Sequence, residues 1–304
     1  MEDPTEPLPS LIEEFVAYER AVGGLAAETL RHRRLHLRTL AAWWCAHRPG
    51  LPIVEATTED LATFLVAEAD RGMSAHTRKA ETVVLRRFFA WLVLTGRSHQ
   101  DATVHLRSPR VPPNEIEVYP AAHIRRILEH TAALADPRGR IRHTIVTTLR
   151  FTGMRSGELR TLRLDHLDLD AGEARVVGKG SRPRTVVVPP PARPVLAAFI
   201  AEVRPTLPDS PLLLVNPHPA VRTAHRGFGS EAIYREVELA GKRAGVPGRH
   251  FPHRWRHTYA TELVRAGVDI SVVQRLLGHR SVTSTVGYTH LAVDDLKAAI
   301  ARIW

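Results

Sequence analysis

The chain has 304 residues, 44% hydrophobic and 24% charged, which predicts about two domains with real cores, and no run approaches the ~20 apolar residues of a membrane span. Its acidic, Pro-rich start from Met1 to Pro9 is unlike a secretory leader, and its single cysteine, Cys45, excludes a disulfide framework or a cysteine-built zinc site, so a cytoplasmic protein is expected. Lys plus Arg number 42 against 32 Asp plus Glu, a net charge of +10 with a pI near 10.5, which favours a polyanionic partner met mainly by arginine.

Ser10-Leu11-Ile12-Glu13 reads as a capping box opening a helix with Ile12, Phe15 and Val16 inward, ended by Gly23-Gly24. A second helix is predicted from about Ala26 to His47, with Leu30, Leu37, Leu40, Ala41 and Trp44 on one face. Its other face carries Arg31, His32, Arg33, Arg34 and Arg38. A third starts near Thr57 or Thr58, burying Leu61, Phe64 and Leu65. The fourth starts at Ser74 and carries Val84, Leu85, Phe88, Phe89 and Leu92 as far as Gly96, with Arg78, Lys79, Arg86 and Arg87 along one side. These four predict a small all-α domain. Taken alone, each basic face reads as solvated helix surface.

Residues 107–120 hold Pro109, Pro112, Pro113 and Pro120 and show no helical period, which predicts an extended linker between a helical domain over 1–106 and a second domain over 121–304. In the second domain Ala121 to Ala135 and Ile141 to Phe151 have helical periodicity. Leu167 to Leu169, Ala174 to Val177 and Thr185 to Val188 predict a three-stranded antiparallel sheet, with residues 178–184 as a hairpin tip. Helices are expected again at about Ala192 to Val203, Glu231 to Ala244, Arg254 to Arg265, Ser271 to Leu277 and Val293 to Ile303.

Four places in this domain combine phosphate-friendly side chains with backbone breaks. Arg155 lies between Gly153 and Gly157; Lys179 lies between two glycines of the hairpin tip, followed by Arg182 and Arg184. His253 and Arg256 are three residues apart, hence on one helix face. His279 follows Leu277-Gly278, and Tyr288 comes nine residues later, before Thr289-His290. Singly, each has a bland explanation. His253 and His257 lack the glutamate of a zinc protease helix, since Arg254 stands there, and Lys179 lacks the Ser or Thr of a P-loop. No metal and no nucleotide cofactor is expected.

In this order and spacing the set resembles the tyrosine site-specific recombinases, or phage-type integrases, and within them the Xer-like members. The residues matching that family's catalytic set are Arg155, Lys179, His253, Arg256, His279 and Tyr288. The likeness is sharpest from Thr148 to Leu291 and extends more weakly over Ser10 to Gly96, which resembles the family's helical core-binding domain. Trp255, where leucine is common, and Pro183 in the tip are departures. The resemblance implies a mainly α protein with a small antiparallel sheet, an α+β catalytic domain at residues 121–304, and two domains closing as a clamp around duplex DNA. In that setting Arg31, Arg34, Arg38, Arg78, Lys79, Arg86, Arg87, Arg182 and Arg184 become candidates for contact with phosphates.

The chemistry suits these residue types. Rejoining a cut phosphodiester without an energy cofactor requires storing the bond on the protein, and a tyrosine ester does so. A phenol with a pKa of about 10 is a weak nucleophile at neutral pH and needs a base and a stabilised transition state. Two arginines offer fork-like donors to the non-bridging oxygens. His253 is the expected proton acceptor, Lys179 the donor to the leaving 5′ oxygen, and His279 a hydrogen-bond donor to phosphate. Glu158 is expected to orient histidine or arginine groups. Other readings are a type IB topoisomerase, a catalytically silent DNA-binding accessory protein, and a metal-dependent transposase built on Asp165, Asp168 and Asp170, whose spacing better suits turn and strand-edge positions. Val293, Leu296, Ile300 and Ile303 form one apolar stripe. The resemblance implies that this tail helix passes to a neighbouring protomer in a homotetramer on paired DNA sites, from a protein monomeric when free.

Overall fold

The computed structural model describes residues 7–111, 116–178, 183–217 and 227–278. The chain forms two compact units, Met1–Asn114 and Glu115–Trp304. Among the described residues no helix is long and apolar enough to cross a membrane.

The first unit is all helical: α1 (Leu8–Ala21), α2 (Ala27–His47), α3 (Thr58–Asp70) and α4 (Ala75–Leu94). Two of its starts follow directly from side chains that cap them. Thr57 accepts from the Asp60 N–H while the Asp60 carboxylate accepts from the Thr57 N–H, a reciprocal box, and Ser74 accepts from the Thr77 N–H at 3.1 Å. The expected box at Ser10 does not form. The helix begins at Leu8 with Pro9 in its first turn, where a missing N–H costs nothing, and Glu13 turns to Arg34 instead. The core gathers Phe15, Leu37, Leu40, Phe64, Leu85 and Phe88, each fully buried and each worth about 1.5–3 kcal/mol of burial. Phe88 stands edge-on to Phe15 at 5.5 Å.

The second unit mixes helices with a small sheet. Asp136 caps α6 (Pro137–Thr152) through the Gly139 N–H, and Pro137 presets the first helical φ. Ile141, Ile145, Val146 and Leu149 of α6 are fully buried, and α5 (Ala121–Ala132), α9 (Ser230–Arg243) and α10 (Pro252–Arg265) pack around it. After the short α7 (Ser156–Arg160) comes an antiparallel sheet in the order β1-β2-β3: Leu167–Asp168, Glu173–Val177 and Pro183–Val187. Its register pairs Ala174 with Leu167 and Val186, and Val177 with Pro183. Ala174, Val176 and Val186 face the core, alternating with exposed neighbours. The helix predicted for 192–203 is α only over α8 (Arg193–Ala198) and widens to a π turn at Phe199–Val203. The last described helix is α11 (Ile270–Leu277).

The stretch predicted as linker is not free along its whole length. Tyr119 is buried in the second unit, tilted against Trp255 with ring centres 4.5 Å apart, and its N–H donates to Thr258 Oγ1 at 2.9 Å. An aromatic ring this size gains more from the core than an extended tether would offer.

Candidate active site

Arg155, Glu158, His253 and Arg256, up to 101 residues apart in sequence, come together around the carboxyl end of α11. Gly153 ends α6 in the left-handed conformation (φ 60°), which turns the chain so that Arg155 leads into α7. Pro252 opens α10 in its first turn and places His253 and Arg256 early in the helix. Asp269 caps α11 through the Ser271 N–H at 2.8 Å, and Gly278 closes it at φ 63°.

The carbonyl oxygens at that end are left without partners inside the helix and form the negative pole of its dipole. Three consecutive ones each accept from a different guanidinium. Arg184 Nη1 donates to Leu276, Arg256 Nη2 to Leu277, and Arg155 Nη2 to Gly278 at 2.9 Å. Arg256 is 2% exposed and also donates to the Gly153 carbonyl at 2.7 Å, so it ties the end of α6 to the end of α11.

Glu158 is buried beneath the arginines. It accepts from the Arg155 N–H at 2.8 Å and from Arg155 Nη1 at 2.9 Å, and from Arg184 Nη2 at 2.8 Å and Nε at 3.2 Å. Burial works to raise this carboxyl. The Arg184 hydrogen bond, the Arg155 N–H and the charges of both guanidiniums outweigh it and hold Glu158 below the ordinary carboxylate value. Glu158 therefore orients arginines, not histidines.

His253 presents an accessible surface, yet the protein packed around the ring, and then the charges of Arg256 and Arg155, push its imidazole below the ordinary value. His257, one turn on, stands edge-on to it with ring centres 5.9 Å apart. Burial, then His253 and Arg256, push His257 down to about 4. Both imidazoles are neutral at pH 7, the form that accepts a proton. Lys179, Arg182, His279 and Tyr288 lie outside the described residues.

The other basic candidates divide clearly. Arg34 Nη2 and Arg38 Nη2 both meet Glu13, at 2.7 and 3.2 Å, and Arg31 meets Glu28 at 2.7 Å. Arg33 is buried against Glu19, with Arg87 3.8 Å from the same carboxylate. Arg86 donates to the Leu106 carbonyl at 2.7 Å. Arg78 and Lys79 make no ion pair among the described residues, and Lys79 is exposed. Arg184 differs from all of these: its side chain is 14% exposed and its donors point into the protein. Expected among the phosphate-contact candidates, it is found with all three guanidinium nitrogens engaged within the protein. Among the described residues no group of three His, Cys, Asp or Glu could hold a metal ion; Asp165 pairs with Arg163 and Asp168 accepts from the Ala171 N–H.

Both units of the chain resemble known proteins. Residues 118–294 match the phage integrase family, and residues 12–96 match the phage integrase N-terminal SAM-like domain. The chain is 31% identical over 295 residues to the tyrosine recombinase XerC of Mycobacterium sp. (strain KMS), covering 95% of this chain and 96% of that protein. It is 28% identical to the XerC of Xanthomonas axonopodis pv. citri (strain 306), covering 94% of each. Among solved structures, the XerH site-specific recombinase bound to a palindromic difH substrate in a post-cleavage complex shares the fold with a TM-score of 0.77 at 19% identity, over 99% of this chain and 97% of that one. A lambda integrase tetramer bound to a Holliday junction matches with a TM-score of 0.71 at 17% identity, over 93% and 80%. With both units matched in order and a relative this similar end to end, the chain belongs to the phage integrase family of tyrosine recombinases.

Proposed function

We propose that this recombinase cleaves and rejoins duplex DNA through a 3′-phosphotyrosyl intermediate, exchanging strands between two short inverted-repeat sites. The observation that carries this reading is the meeting of Arg155 and Arg256 on adjacent carbonyls beside His253. Each terminal nitrogen of Arg155 uses one hydrogen within the protein and keeps another for a phosphate oxygen. Two guanidiniums held in advance stabilise the charge that builds on the non-bridging oxygens, without reorganising as it forms.

In the proposed step the Tyr288 hydroxyl attacks phosphorus and passes its proton to neutral His253. The bond to the 5′ oxygen breaks, and Lys179 supplies the proton that oxygen takes up. His279 donates to the phosphate. The phosphotyrosyl ester keeps the energy of the broken bond, so rejoining runs by the reverse step with a 5′ hydroxyl as nucleophile. Cationic side chains fill the place a metal ion holds in many nucleases, and no cofactor is called for.

Duplex DNA is the proposed partner. Arg78 and Lys79 are free to meet phosphate, while Arg31, Arg34 and Arg38 are held by exposed ion pairs whose small net worth lets phosphate replace them. On paired sites the proposed assembly is a homotetramer linked by exchange of the helix expected over 293–303, formed from free monomers in the cytoplasm.

A duplex nicked near the cleavage site tests the reading. The protein should be trapped on it as a covalent adduct in excess EDTA, and Tyr288→Phe should bind the same duplex without forming the adduct. An adduct that persists in the Phe protein, or an absolute magnesium requirement, would overturn the mechanism.

A further inference from the structure

We propose that Arg184 is a positioning residue for strand cleavage, holding Glu158 so that the guanidinium of Arg155 keeps its place and its charge for the phosphate. The proposal rests on the reading of Arg155 as a phosphate-binding group.

Arg184 sits near the start of β3, far in sequence from both of its partners. Its guanidinium makes a fork onto Glu158 with Nε and Nη2, and its remaining nitrogen donates to the Leu276 carbonyl. The same Glu158 carboxylate takes the main-chain N–H and Nη1 of Arg155. Arg155 in turn reaches the Gly278 carbonyl, two residues from the carbonyl that Arg184 holds. Arg184, Glu158, Arg155 and the end of α11 thus form a closed ring of hydrogen bonds. Gly278 fits within it closely: a Cβ there would stand 2.9 Å from Arg184 Cδ.

Charge gives the ring its purpose. Glu158 is 2% exposed, and a buried carboxylate demands a cation. If Arg155 were its sole partner, the pair would be neutral and the guanidinium drawn down towards the carboxylate. Arg184 supplies a second positive charge, so the three groups together keep a net charge of +1 to offer the phosphate. A lysine could supply the charge but not two parallel donors to a carboxylate and a third to a carbonyl.

The test measures adduct formation on the nicked duplex at saturating protein, duplex affinity across a salt series, and the thermal midpoint. Arg184→Ala should slow adduct formation by about 10²-fold, the scale of a misplaced reacting group, with affinity and salt slope unchanged. Arg184→Lys should fall between it and the parent. Glu158→Gln combined with Arg184→Ala should recover part of the rate, because the carboxylate that captures Arg155 is gone. Arg155→Ala combined with Arg184→Ala should be no slower than Arg155→Ala alone. If Arg184→Ala does not fold, the Lys protein and its combination with Glu158→Gln give the same comparison. Parent-like cleavage by Arg184→Ala or Arg184→Lys overturns the proposal. So does a weaker affinity with a shallower salt slope, which marks a direct phosphate contact, and so does a loss that Glu158→Gln fails to relieve. Failure of the underlying reading has a separate signature: Arg155→Ala alone would cleave normally.

Discussion

Tyr259 packs against Gly153 so closely that a Cβ on the glycine would stand 2.4 Å from the ring carbon Cδ1. The glycine is also left-handed, and its carbonyl receives Arg256. One position therefore satisfies a backbone turn, an aromatic contact and an arginine of the proposed active site together. Burial raises the Tyr259 phenol above its ordinary value, which suits a packed ring and not an attacking oxygen.

Gly153→Ala should lose roughly 1–2 kcal/mol from backbone handedness alone, with more from the clash, and should slow cleavage by displacing the Arg256 acceptor. Thermal melts and adduct formation measured together check this. A protein as stable and as fast as the parent would show that the ring moves aside freely.

Arg155 and Arg256 should separate in their effects on stability. Arg155→Ala removes a side chain 28% exposed and should cut cleavage by about 10²-fold with little change in melting. Arg256→Ala should cut cleavage at least as far and also lower the melting temperature, because it strands the buried carbonyls of Gly153 and Leu277. Equal melting temperatures for the two would contradict the burial of Arg256.

Acid should weaken the fold and the reaction in a defined order. His257 has a folded pKa near 4 against an ordinary 6.5, so between these values the unfolded chain binds the proton that the folded one refuses. Its contribution to stability is complete above pH 6.5 and is lost as pH falls towards 4. Glu158, also depressed, loses its contribution lower still, below the ordinary 4.5. His253 stays neutral to below 6.5, so the acid limb of the cleavage rate should lie on the acid side of that value. Melting curves from pH 7 to 4, with His257→Gln flattening the upper part, test the sign; a limb above pH 7 would remove His253 as the base.

Deleting residues 293–304 should leave folding and single-site binding intact and abolish cooperative binding and strand exchange. Gel shifts on one-site and two-site duplexes separate these. Normal recombination by the shortened chain, or its outright unfolding, would assign the helix to its own domain.

The legible parts of this molecule were those written locally. Thr57 and Ser74 announce α3 and α4 because a cap acts within three residues, and the alternation of Ala174 and Val176 announces β2 because a strand face repeats every second residue. Pro9 hid the start of α1, since proline is a breaker everywhere except the first helical turn. The basic face of α2 looked free because Glu13, which holds Arg34 and Arg38, comes from another helix. Arg184 read only as one more phosphate-contact candidate, because its internal partners are Glu158, 26 residues away, and a carbonyl 92 residues away. Sequence spacing singles out Arg155, His253 and Arg256 as candidates but is silent about what holds them.

What holds the three arginines at α11 is main chain, and main chain has a phase. Side-chain replacement at half-buried Leu276 leaves the acceptor oxygens where they are, so that position can vary without disturbing the guanidiniums, whereas Leu277 is also held by the core against Ala260 and Val273. A single residue inserted or deleted within α11 cannot be absorbed in the same way. It rotates everything beyond it by about 100° around the helix axis, carrying the oxygens of Leu276, Leu277 and Gly278 away from Arg184, Arg256 and Arg155 at once. The length of this eight-residue helix is thus as much a part of the proposed catalytic apparatus as any side chain on it.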